Sequence, residues 1–144
     1  MQGTYKKFDK ELFEANDLKA RTATKLVVAQ VYGVEVRDNP DKYGPDLMAY
    51  KDGEFVGYVE CEIKRVWGLG EFQYDTVQFP ERKAKFLKLG SILFIMFNQD
   101  LSRCLMLNGE TLASSPQVVV RNKYCPSGEL FFQVPRENVE FLSI

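Results

Sequence analysis

An Asp-Gly pair, Asp52-Gly53, lies between two strand-forming runs, Leu47 to Tyr50 and Glu54 to Arg65, and this arrangement calls for a β-hairpin. The second run alternates over its latter half. Val59, Cys61 and Ile63 share one face, and Glu60, Glu62 and Lys64 share the other. Turn geometry decides what joins those charges. An uninterrupted two-residue turn pairs Tyr50 with Phe55 and sets Asp46 opposite Val59, on the wrong face from Glu62. A type I turn with Gly53 left-handed and a bulge moves the register by one and gathers Asp46, Glu60, Glu62 and Lys64. We expect that bulge or an equivalent one nearby.

Other elements follow from periodicity and punctuation. Asp17 to Val31 reads as a helix capped by Asn16 or Asp17, with Leu18, Thr22, Leu26 and Ala29 as its apolar stripe and Gly33 as its stop. Val34 to Val36 is a short strand, and Arg37 to Pro45 is a loop. Trp67 to Phe79 has glycines and aromatics without a clear period and reads as a loop. Pro80 suits the first position of a helix reaching Leu89, closed by Gly90. Ser91 to Phe97 is a continuous apolar run, as in a central strand covered on both faces. Further strands are expected at Cys104 to Leu107, Gln117 to Val120 and Leu130 to Val134. The order αβββαβ predicts an α/β fold: a mixed central sheet flanked by helices, with extra C-terminal strands. At 144 residues and 45% apolar, the chain can bury one core, so a single domain over residues 1–144 is expected.

Several chemistries drop out. The chain has no histidine, which removes Ser-His-Asp and Cys-His catalysis and histidine-ligated zinc. Three widely spaced cysteines form no Cys-x-x-Cys pair and read as reduced structural residues. No apolar run approaches the length of a membrane span and no signal series opens the chain, so a soluble, cytoplasmic protein with no membrane partner is expected. A net charge of −1 speaks against coating nucleic acid by bulk attraction but leaves room for a local basic groove.

Carboxylates and lysine remain, and they suffice for phosphodiester hydrolysis. Hard oxygens hold Mg²⁺ or Mn²⁺, and an ammonium steadies the attacking water or the charge on phosphorus. An acid-x-Lys tripeptide alone is weak evidence; Glu81-Arg82-Lys83 is another, at a helix start where the two side chains diverge. Glu62-Ile63-Lys64 differs because strand spacing aligns its ends and Pro45-Asp46 opens the preceding strand.

On these residues, with the hairpin turn, the preceding helix and the following helix and strand, the sequence resembles the PD-(D/E)xK nuclease superfamily of restriction-endonuclease-like fold, which includes Holliday junction resolvases and some homing endonucleases. The likeness covers roughly the first two-thirds of the chain, as an order of elements. It implies a divalent-metal-dependent DNA endonuclease acting as a homodimer. Asp46 and Glu62 would hold the metal, Lys64 would orient the nucleophile, and Asp17, or else Glu14, would be the helix-borne acid. Glu60 ranks second to Glu62: it would bind a second ion, accept a hydrogen bond or pair with Lys64.

Arg82, Lys85 and Lys88 recur every three residues and, with Lys83, form either a phosphate grip or an ordinary solvated helix face. Trp67, Phe72 and Tyr74 either stack on bases or, as loop aromatics more often do, pack on the core. Asn122, Lys123 and Tyr124 are not distinguished from a polar turn. Two rivals stand beside the nuclease: a non-catalytic nucleic-acid-binding or scaffold protein on the same fold, and an α/β interaction domain with no nucleic-acid affinity.

Overall fold

A computed structural model describes residues 10–144 of the chain; the first nine positions of the expected domain lie outside the described residues. The elements are α1 (Lys10–Tyr32), β1 (Glu35–Asp38), β2 (Leu47–Lys51), β3 (Glu54–Ile63), β4 (Thr76–Pro80), a 3₁₀ helix (Glu81–Leu89), β5 (Ile92–Phe97), β6 (Arg103–Asn108), α2 (Gly109–Ala113), β7 (Gln117–Val120), β8 (Glu129–Pro135), a 3₁₀ turn (Arg136–Asn138) and β9 (Glu140–Ser143).

The hairpin sets the register on which the site depends. Asp52 and Gly53 take φ of 51° and 82°, the two-residue turn whose twist matches that of paired strands. Tyr50 therefore pairs with Phe55, as an uninterrupted turn dictates, but the register then shifts. Ala49 pairs with Gly57 and Leu47 with Val59, which leaves Val56 as the extra residue. The expected type I turn with its bulge at Gly53 is corrected: the bulge lies in the strand. Its consequence for register is the same, since Asp46 comes opposite Glu60 and not Val59. Close packing fixes the spot, because a Cβ on Gly57 would lie 3.0 Å from the Ser91 carbonyl oxygen.

Six strands form a mixed sheet in the order β1-β2-β3-β5-β6-β9, in which β3 and β5 are parallel and the other neighbours antiparallel. The central strand β5 is covered on both faces, which accounts for its unbroken apolar sequence. Ile95 and Phe97 pack with Val59, Cys61, Cys104 and Met106 against Ala20, Val27 and Val28 of α1. Phe94 and Met96 face the other way, toward Val77, Phe79, Phe86 and Phe132. That second cover is a three-stranded sheet, β4-β8-β7, together with the 3₁₀ helix. The architecture is mixed α/β, with α1 on one face and a small sheet on the other. Among the described residues no helix is long and apolar enough to cross a membrane.

The structure changes the expectations for the first helix and for the loop, and decides between the alternatives left open elsewhere. The first helix is already formed at Lys10, the first described residue, so neither Asn16 nor Asp17 caps it. Its buried stripe is Ala20, Thr24, Val27 and Val28; Leu18 and Leu26 are 66% and 69% exposed, because small residues let α1 approach the sheet closely. The expected loop 67–79 ends in β4, whose Val77 and Phe79 alternate inward and whose last residue, Pro80, precedes the 3₁₀ helix rather than opening it. Trp67 and Phe72 are 2% and 3% exposed, which removes them as base-stacking groups; Tyr74 remains half exposed. The C-terminal strands both extend the main sheet, through β6 and β9, and flank it, through β7 and β8.

Candidate active site

Loop chemistry delivers Asp46 to the head of β2. The Asn39 side-chain amide donates to the Pro45 carbonyl at 2.9 Å, and the Asn39 N–H donates to the Asp46 carbonyl at 3.0 Å. Gly44 leaves room for this clasp, since a Cβ there would stand 2.8 Å from Asn39 Nδ2. Asp46 Oδ2 then accepts the Cys61 N–H at 3.0 Å, and its own N–H donates to Glu60 Oε1 at 3.1 Å. The aspartate continues the strand pairing with its side chain where the backbone ladder of β2 ends.

Each of these two acids meets a cation from a different layer. On the α1 side, Arg21 donates to Asp46 Oδ1 at 3.1 Å and to the Asp46 carbonyl at 2.8 Å. The same guanidinium bonds Asp17 at 2.8 Å and reaches Asp38 at 3.5 Å. Burial works against the Arg21 charge, but the Asp17 hydrogen bond and the Asp46 and Asp17 charges outweigh it and raise its pKa. On the opposite side, Lys83 of the 3₁₀ helix donates to Glu60 Oε2 at 2.5 Å, with side chains 19% and 11% exposed.

Burial pushes the Glu60 carboxyl up, and the neighbouring Asp46 pushes it further; Lys83 offsets this in part, leaving a pKa of about 7. Burial likewise raises the Cys61 thiol, with the Asp46 charge adding to it, so this cysteine is an inert core residue. Lys64 follows the last residue of β3. Its Nζ reaches the Gln78 carbonyl of β4 at 3.4 Å, and burial lowers its pKa, partly countered by the Glu62 charge.

The structure thus joins Asp46 to Glu60, and links Asp17 to Asp46 only through Arg21. Glu62 is half buried, one residue pair beyond Glu60 on that face, and Glu14 is exposed. Among the described residues no three carboxylate or cysteine side chains converge to hold a metal ion. The donor chemistry of the neighbouring pair is of the kind a divalent cation takes: Asp46 and Glu60 offer hard carboxylate oxygens, and the Asp46 charge disfavours the Glu60 anion.

The basic residues divide. A 3₁₀ helix turns once per about three residues and rises about 2 Å per residue, so Arg82, Lys85 and Lys88 eclipse one another roughly 6 Å apart. All three are exposed; Arg82 pairs with Glu129 at 3.1 Å and Lys85 lies over the Phe86 ring. Lys83 eclipses the buried Phe86 instead and points inward, so it leaves the expected surface grip. Asn122 accepts from the Tyr124 and Cys125 N–H groups, which makes that segment a tight polar turn.

One member of the site was missed in the sequence, Arg21, although an acid four residues before it on a helix was a signal for it; Lys83 was singled out, but for a surface phosphate grip. Compared with models of protein families and with curated proteins, the chain matches none.

Proposed function

We propose that the chain is a Mg²⁺- or Mn²⁺-dependent DNA endonuclease of restriction-endonuclease-like fold. The observation that supports this most is the register of β2 against β3, which brings Asp46 next to Glu60, the first acid of the β3 face that also carries Glu62. The succession of α1, β1, β2 and β3 lends the reading support, while β4 and a 3₁₀ helix stand between β3 and β5 where one α-helix was expected. In this reading Asp46 and Glu62 hold the ion, with Glu60 beside them. The ion would polarise the phosphate and lower the pKa of a bound water. Lys64 orients the water and faces the attacked phosphorus, while Asp17 keeps Arg21 on Asp46. The outward row of Arg82, Lys85 and Lys88 grips backbone phosphates. Cutting two strands calls for a symmetric pair of such sites, hence a homodimer.

Incubating plasmid and branched DNA with the protein and Mg²⁺ or Mn²⁺ tests this. Cleavage should require the metal and disappear in Glu62→Gln and Lys64→Ala variants that retain wild-type circular dichroism. A second reading, a non-catalytic nucleic-acid-binding or scaffold protein on the same fold, is favoured by the pairing of Asp46 with Arg21 and of Glu60 with Lys83, which neutralises the acids internally. It predicts DNA binding that persists in EDTA and no product with any divalent metal.

A further inference from the structure

We infer that two copies of this chain pair through β7, its free edge running antiparallel to the same edge of the copy; this names the surface of the homodimer proposed above and rests on that reading for its use in cutting two strands. The main chain of β7 offers the edge. The Gln133 N–H donates to the Pro116 carbonyl at 2.7 Å, and Gln117 lies opposite Phe132, so the bonded pairs that follow fall at Val118 and Val120. The N–H and C=O groups of Gln117 and Val119 therefore point away from β8, along the outer edge of the three-stranded sheet. Among the described residues nothing bonds them. The other sheet edges are guarded. β1 exposes Glu35, Arg37 and Asp38, and β9 begins with Glu140 and has Arg136 over its Phe141 ring. On β4, Lys64 reaches the Gln78 carbonyl and Pro80 ends the strand. Charge and proline are how an exposed edge avoids a second strand, and β7, reading Gln-Val-Val-Val, carries neither.

This edge is also complementary to itself. Antiparallel pairing about Val119 sets Val119 against Val119 of the copy, Val118 against its Val120, and Gln117 against its Arg121. No like charges face one another in β7, and a Gln117 side-chain carbonyl accepts from a guanidinium. Val119 and its cross-strand neighbour Leu130 are 55% and 37% exposed. The pairing covers both, because Leu130 and Val119 of each copy then form one aliphatic row across the joined sheets. A strand from another protein would have to reproduce that row and the glutamine–arginine match; a second copy does so by two-fold symmetry.

Sedimentation equilibrium across the micromolar range, on wild type and Val119→Lys, tests the interface. Wild type should dimerise reversibly, and Val119→Lys should stay monomeric with wild-type circular dichroism. Register is read by mild oxidation in a Cys125→Ser background, since Cys61 and Cys104 are buried. Val119→Cys should cross-link, because a directly opposed bonded pair has Cα atoms about 5.5 Å apart, within disulfide reach. Val118→Cys should not, because the two copies of that residue lie on a diagonal roughly 7–8 Å long. Should Val119→Lys fail to fold, the cross-links decide. A monomeric wild type, a dimeric Val119→Lys, or equal cross-linking of the two cysteine variants overturns the interface, and DNA cleavage by that same protein leaves the nuclease reading standing. A dimer with the expected cross-link that cuts no DNA keeps the interface and overturns the nuclease.

Discussion

Glu60 is the residue whose surroundings most oppose its charge. Its carboxyl titrates at about 7 in the folded chain against an ordinary 4.5, because burial and Asp46 disfavour the anion. Between those values the folded state retains a proton that the unfolded chain releases, so stability falls as pH rises through the window and is flat, for this group, outside it. Chemical denaturation in EDTA should show wild type losing on the order of 1–3 kcal/mol from pH 4.5 to about 7, and Glu60→Gln losing less. Superimposable pH curves for the two proteins would contradict the burial of this charge. Lys64 is the mirror case, an ammonium whose pKa burial lowers. Lys64→Met should be as stable as wild type or more so by roughly 1 kcal/mol at pH 7, while cleavage is lost; a clear destabilisation would make Lys64 a structural residue.

At the scale of elements, the 3₁₀ helix positions Lys83 and α1 positions Arg21, and each depends on what it buries. Phe86→Ala should cost about 3–5 kcal/mol by opening a cavity between the two sheets and should loosen Lys83 with it. Leu26→Ser, on the exposed side of α1, should lie within about 0.5 kcal/mol of wild type. Thermal or urea unfolding of the pair checks both, and a costly Leu26→Ser would mean that this face is covered. The same elements show where sequence reasoning reached and where it stopped. The hairpin, the central strand β5 and the stop at Gly33 were legible because turn chemistry, an unbroken apolar run and a left-handed glycine are local signals. The stripe of α1 was misread because Ala20 and Thr24, small enough to admit the sheet, carry less apolar signal than Leu18 and Leu26. β4 was hidden by aromatic and glycine neighbours, and β9 carried too short a pattern to stand out.

At the scale of the molecule, the site lies where α1, the six-stranded sheet and the 3₁₀ helix meet, and no local pattern reports such a meeting. The sequence placed Glu60, Glu62 and Lys64 on one face and foresaw a bulge that brings Asp46 beside Glu60, because strand alternation has a strict period of two. It did not foresee that Arg21 and Lys83 arrive from opposite layers, since those contacts span 25 and 23 residues and depend on how the layers stack. The central claim is that these acids share a divalent ion. A crystal soaked in Mn²⁺ and measured at the manganese edge tests it most directly. The account predicts one strong anomalous peak between the Asp46 carboxylate and the acidic face of β3 formed by Glu60 and Glu62. A fully exchanged crystal with no peak there, and Arg21 and Lys83 still seated on Asp46 and Glu60, would contradict it.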